Sequence, residues 1–234
     1  MNYLVLNGKN SRYIQGLLIS ELPPVSKPQM RTQVDTIDGR DGDVVTDLGF
    51  QAYDREVSIG LHGGFDIDDV SEYFNSEGIA IFSNEPTLFY KYKITRQIDY
   101  ERLIRFRKAK VVFHVQPFKF STIETPLSYE IGENQTSIKV FNSGNYKSNP
   151  KLTVYGTGSI VFALNGTNIL TINLGDEGNI TIDTAELEAY KGTVLKNRLV
   201  SGDYDKFALL KGENTISWTG TVTKIEIDQY SRWI

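Results

Sequence analysis

The chain has 234 residues, is 40% hydrophobic and carries a formal net charge of −4. This is length for one large or two modest domains, with enough apolar material for real cores. The absence of cysteine excludes disulfide frameworks, zinc–thiolate sites and cysteine nucleophiles; His62 and His114, the only histidines, leave little for imidazole chemistry, and the acidic balance asks for no polyanionic partner.

The opening MNYLVLNGKN has no basic region followed by a long apolar core, so no signal peptide is expected. No window approaches the ~18 consecutive apolar residues of a membrane helix, and no membrane insertion is expected. Strands are expected at Asn2–Leu6 and Tyr13–Ser20, followed by a break at Pro23, Pro24 and Pro28. Arg31–Thr36 and Tyr53–Leu61 read as extended. In YDREVSIGL, Val57, Ile59 and Leu61 alternate with polar residues as a half-buried strand does.

Between these two lies TIDGRDGDVV, dense in charge and glycine. An EF-hand calcium loop fits neither register: from Asp41 the third ligand place is Val45 and the glycine place is Thr46, and from Asp38 the second ligand place is Arg40. The order Gly-Arg-Asp is not the integrin Arg-Gly-Asp. Gly39-Arg40-Asp41-Gly42 is read as a structural turn, with glycines for positive φ and Asp side chains accepting backbone hydrogen bonds. Another calcium geometry stays open.

Asp66–Glu77 reads as a helix. Asp66 is the N-cap, Asp68 and Asp69 suit the first turn, Ile67, Val70 and Phe74 share a face, and Gly78 is the expected stop. Strands are expected at Ile79–Phe82, Thr87–Ile94 and Leu103–Val115, the last two joined across Thr95–Arg102, with Pro117-Phe118 ending the block. Lys91, Lys93, Arg96, Arg105 and Arg107 crowd this stretch, with Glu101 among them. Read at period two, Lys91/Lys93 and Arg105/Arg107 lie on one face of a hairpin and Tyr92 and Phe106 on the other. Such a ribbon can hold nucleic acid. In an acidic chain a solvated or subunit-contacting face is the better reading, and specific nucleic-acid binding is not expected; the cations also guard an exposed edge.

From about Pro126 the composition shifts to Asn, Gly and Thr. Short strands are expected at Thr136–Phe141, Lys151–Tyr155, Ser159–Leu164, Ile169–Leu174, Asn179–Asp183, Asp205–Leu210, Asn214–Trp218 and Thr221–Ile227, with a hairpin turn at Asn165-Gly166. The fold class is mainly β, with residues 1–125 as a first domain containing one short helix and residues 126–234 as a β-sandwich. The glycosylation triplets at Asn134, Asn165 and Asn179 are read as chance in an Asn/Thr-rich region.

No catalytic constellation emerges. His62 precedes two glycines but has no Ser or Asp motif beside it, and the G-x-S-x-G elbow is absent. His114 sits in a strand as a packed or interfacial residue. Asp66/Asp69 and Glu186/Glu188 are explained by helix capping and solvated faces rather than acid/base work. Gly156-Thr157-Gly158 lacks the lysine of a P-loop and reads as a turn. Aromatic residues of the second half raise saccharide stacking: Trp218, alternating with Ile216, belongs to the core, whereas Tyr204 and Trp233 are freer candidates. No enzyme, cofactor or metal is expected.

Taken in order, these stretches resemble the distal tail proteins (Dit) of long-tailed phages infecting Gram-positive bacteria, the siphovirus tail-component family. Gly39-Arg40-Asp41-Gly42 looks like the family's turn in its first domain. Gly78-Ile79-Ala80-Ile81-Phe82-Ser83-Asn84-Glu85-Pro86, Phe89-Tyr90-Lys91-Tyr92 and Val112–Phe118 follow like its strands and domain close. Asn142-Ser143-Gly144 before Pro150, Gly156-Thr157-Gly158, Ile182-Asp183 and Leu210–Ile216 follow in its second domain. Thr184–Tyr204 carries no family signature. The resemblance implies a homo-hexameric ring made by the first domain, with Lys91, Lys93, Arg96, Glu101, Arg105 and Arg107 at the subunit interface, and a galectin-like or carbohydrate-module-like sandwich. It implies a non-enzymatic hub at the virion tail tip, assembled in the host cytoplasm. The hub joins tail-tube protein and the tape-measure protein's end to the tail-associated lysin or fibre and to receptor-binding protein. The alternative is a carbohydrate-binding module for bacterial cell-wall saccharide.

Overall fold

The structure is a computed structural model and describes residues 1–234. The chain is mainly β and divides into two compact units, Met1–Thr122 (with Ile234) and Ile123–Trp233.

In the first unit the strands are β1 (Leu4–Leu6), β2 (Lys9–Asn10), β3 (Leu17–Glu21), β4 (Met30–Thr36), β5 (Asp43–Phe50), β6 (Tyr53–Leu61), β7 (Glu77–Phe82), β8 (Leu88–Ile94) and β9 (Lys108–Ser121), with helices α1 (Ile67–Phe74) and α2 (Tyr100–Phe106). The main sheet runs β2-β1-β7-β8-β9-β6-β3. Its spine is β9, which pairs β6 through Lys108–Val115 and β8 through Phe113–Ser121, curling the sheet. Alternation builds the core. Val57, Ile59 and Leu61, Ala80 and Phe82, Tyr90 and Tyr92, and Val111, Phe113 and Val115 all point inward and pack under Val70, Tyr73 and Phe74 of α1 and Leu103 of α2.

Several local expectations are corrected here. α1 ends at Phe74 with Asn75 as its C-cap, short of the expected stop at Gly78. Gly78 lies inside β7 at φ 137°, where the Asn7 side chain bridges Glu77 O and Ile79 N and would meet an added Cβ at 2.2 Å. Ser11–Tyr13 form a 3-10 turn, so β3 starts only at Leu17. Leu103–Phe106 is not strand: the Asp99 side chain accepts from Arg102 N at 2.8 Å, Leu103 is buried, and Arg107 closes the helix in the left-handed region at φ 57°. The unit therefore has two short helices, not one. β9 also runs through Pro117, which falls at the register shift between the pairs Tyr92↔Val115 and Tyr90↔Lys119.

The second unit is a nine-stranded sheet folded on itself. Its strands are β10 (Leu127–Glu130), β11 (Ser137–Asn142), β12 (Lys151–Leu164), β13 (Thr167–Gly175), β14 (Asn179–Asp183), β15 (Glu188–Lys191), β16 (Val194–Leu195), β17 (Val200–Gly202) and β18 (Gly212–Asp228). The four segments expected at Lys151–Tyr155, Ser159–Leu164, Asn214–Trp218 and Thr221–Ile227 are two long strands. β12 and β18 pair along Lys151–Thr157 and again along Val161–Leu164, with a register shift between. The first stretch joins β14 and β10, and the second joins β13 and β11. Gly156-Thr157-Gly158 is the bend within β12 rather than a turn between strands. An added Cβ on Gly156 would sit 2.1 Å from Thr221 O, and one on Gly220 2.3 Å from Ser159 O, so the strands cross there only because both are glycine. Leu152, Val154, Ile160, Phe162, Ile216, Trp218 and Ile225 fill the core between the layers. Asn165 (φ 51°) and Gly166 (φ 84°) make the turn into β13. Asp205–Leu210 is a 3-10 turn at Tyr204–Lys206 and then a single bridge from Leu209 to Ser148, not a strand.

Candidate functional site

β4 and β5 form a hairpin that pairs with no other strand. Gly39-Arg40-Asp41-Gly42 is its tip, with Arg40 N donating to Ile37 O at 3.1 Å and Gly39 and Gly42 at φ 79° and 80°. No three acidic or histidine side chains gather to hold a metal ion there or elsewhere. Both faces of this arm are open. Val34 (54% exposed) and Val45 (59%) sit opposite each other on one face, and Leu48 is half-exposed. A lone two-stranded hairpin is marginal in water, and its free edges offer unpaired N–H and C=O groups.

The arm's root is held differently. Arg55, on β6, is 2% exposed, and its guanidinium lies over the rings of both Phe82 and Tyr90, 4.6 and 4.4 Å from their centroids. Its Nη1 donates to Glu85 Oε2 at 3.2 Å. Glu85 also accepts from Tyr90 Oη at 2.5 Å and from Lys119 Nζ at 3.0 Å. Burial pushes the Glu85 carboxyl up, but the hydrogen bonds from Tyr90 and Lys119 and the charges of Lys119 and Arg55 outweigh it and hold it below the ordinary glutamate value. Arg55 Nη2 and Asn84 Nδ2 donate to Pro23 O at 3.4 and 3.0 Å, pinning the segment that leads into the arm. This cluster was missed in the sequence. The signal was there: Val57 and Ile59 set the inward phase of β6, and Arg55 has the same parity; Phe113 and Val115 do the same for Lys119.

The six basic and acidic interface candidates do not share one hairpin face, because α2 interrupts the expected strand. Lys91 and Lys93 project from β8, and Lys93 pairs with Glu77 at 2.7 Å. Arg96 pairs with Asp54 at 2.5 Å. His114 Nδ1 is 2.9 Å from the other Asp54 oxygen, and with Arg96 it holds the Asp54 carboxyl below its ordinary value against the small cost of burial. Glu101 and Arg105 stand exposed on α2, and Arg107 caps it with its guanidinium 4.5 Å from the Phe65 ring centroid. Phe106, expected on the hairpin face opposite the cations, is on a helix and 62% exposed. His62 lies in an exposed loop, where its N–H donates to Gly16 O. In the second unit Trp218 is buried, Tyr204 packs half-buried against the core, and Trp233 is half-buried.

No family model and no curated protein sequence matches the chain. Among solved structures, the phage SPP1 Dit (gp 19.1) protein, described as a paradigm of the hub adsorption apparatus in Gram-positive-infecting phages, aligns at TM-score 0.69 and 16% identity, over 97% of this chain and 98% of that one. The phage P2 baseplate in its activated conformation aligns at TM-score 0.49 and 11% identity with Ca, and at 0.48 and 10% with Sr, over 98% of this chain and 99% of each of those. From end to end, the chain resembles the Dit hub protein of SPP1 and has its fold.

Proposed function

We propose that the chain is the structural hub of a phage tail tip. Six copies form a ring through residues 1–125, and residues 126–234 form the accompanying sandwich. The ring joins tail-tube protein and the end of the tape-measure protein to the tail-associated lysin or fibre and to receptor-binding protein, and it carries no catalytic activity. The observation that carries this reading is the whole-chain likeness in fold to a phage hub protein. The unpartnered arm supports it, because such a hairpin is stabilised when a neighbouring subunit covers it. A contact between two different patches of the same chain closes into a ring when its rotation closes.

The test is sedimentation and light scattering of the purified chain, with negative-stain images of the same fractions. The expected particle is a six-fold ring with about six times the 26.4 kDa of one chain. A chain that stays monomeric at every concentration, and also when mixed with the tail-tube and lysin proteins of its own virion, sinks the proposal.

A further inference from the structure

Two surfaces of the first unit are left with opposite charge and exposed apolar groups. On the arm, Asp43, Val45 and Asp47 of β5 share one face with Val34 of β4, as the pairings Thr32↔Asp47, Val34↔Val45 and Thr36↔Asp43 require. The arm carries Asp35, Asp38, Asp41, Asp43 and Asp47 against Arg31 and Arg40. On the other surface, the run Arg102-Leu103-Ile104-Arg105-Phe106-Arg107-Lys108 contains four cations and no carboxylate. Leu103 is buried, whereas Phe106 (62%) stands open on the helix face it shares with Arg102 and Arg105; Ile104 (44%) is on the other side. Asp43 and Asp47 make no ion pair within the chain, and neither do Arg102, Arg105 and Lys108. Arg102 and Lys108 also line a cleft of about 670 Å³, where Glu21 and Asp99 stand against them and Lys110.

We infer that the arm of one copy docks on the α2 surface of the next, with Val34 and Val45 against Phe106, and Asp43 and Asp47 facing Arg102 and Arg105, which flank Phe106 on one face of the helix. This rests on the ring reading above and names its contact. The occupant is a second copy because the chain itself supplies both halves, each acidic or basic and each with an exposed apolar centre. Complementary charge sets register and speeds encounter, while the apolar centre and the exclusion of water hold the contact. The two patches differ, so the contact is heterologous and propagates from copy to copy.

The cysteine-free chain makes the test direct. Full-length Val45→Cys and Phe106→Cys chains are mixed in equal amounts, oxidised, and their dimers weighed by mass spectrometry. Mixed dimers are expected well above the half that random pairing gives. Adding Arg102→Glu and Arg105→Glu to the Phe106→Cys chain is expected to cut the mixed yield at least about tenfold through like-charge repulsion. Adding Asp43→Lys and Asp47→Lys to its partner should then restore it. All these positions are exposed, and circular dichroism confirms the fold of each variant. Mixed dimers no more frequent than random pairing, or a yield indifferent to the reversals, overturn the contact. If the unmodified chain forms rings but the mixed dimers fail, only this contact is wrong. If mixed dimers form while the unmodified chain never assembles beyond pairs, the contact stands and the ring falls.

Discussion

Glu85→Ala is expected to be among the most destabilising single substitutions in the first unit. The carboxylate is the only anion paired with two buried cations: Arg55 and Lys119 have side chains 1% and 6% exposed. Its removal also strands the Tyr90 hydroxyl. Breaking a buried pair by deleting one partner costs about 3–5 kcal/mol, and leaving two cations rather than one places this case toward the upper end. Arg55→Met should cost less, because Glu85 keeps Lys119 and Tyr90 and the methionine can still pack over Phe82 and Tyr90. The double variant with Glu85→Gln should show a coupling of about 1–3 kcal/mol. The assay is urea unfolding followed by far-ultraviolet circular dichroism and by tryptophan fluorescence. Both tryptophans, Trp218 and Trp233, belong to the second unit, so fluorescence reads that unit and the loss should fall in the dichroism change of the first. A cost below about 1 kcal/mol for Glu85→Ala would mean that the cluster is wetter than its burial implies, and would refute the reasoning.

Glu85 also sets an acid limit. Its folded pKa is depressed, so its contribution to stability is complete above the ordinary value of 4.5 and fades as pH falls through the lower folded value; acid unfolding of Glu85→Gln should lack that part of the slope. Phe162→Ala should cost the second unit about 3–5 kcal/mol, since Phe162 is fully buried beside Trp218, and a smaller shift in the fluorescence transition would argue against the packed interlayer core. Gly156→Val should destabilise the same unit more than Gly132→Val, because only at the bend does a Cβ meet a backbone carbonyl; equal melting temperatures would contradict the close crossing. Asp99→Ala should cost about 1 kcal/mol as a lost helix cap, seen as faster amide exchange in Tyr100–Phe106.

Where one physical signal dominated, the sequence was readable. Val57, Ile59 and Leu61 announced β6, and Asp66 with Ile67, Val70 and Phe74 announced α1. α2 was missed because Leu103, Ile104 and Phe106 interleave with arginines in a way that satisfies a strand and a helix alike over so few residues, and the Asp99 cap decided it. β12 was divided by reading Gly156-Thr157-Gly158 as a turn, when the missing Cβ of Gly156, like that of Gly220 on β18, is what lets the two strands continue past each other. The Arg55 cluster was legible in parity but hidden by the habit of placing charges outside. The arm's isolation was not legible: alternation describes a strand's own faces and says nothing of whether another layer covers them.

The bend shared by β12 and β18 also governs how the second unit comes into being. Each layer contains one half of both strands, and the strands pair residues as far apart in the chain as Lys151 and Asp228. Neither layer can close before that long loop does, and once it closes both layers gain their central pair together. The expected kinetics are those of non-local β topologies, folding in roughly milliseconds to seconds and as a single step. A nascent chain can therefore pair β12 with β13 and β14 along one edge, but holds the other edge of β12 open until β18 has been made.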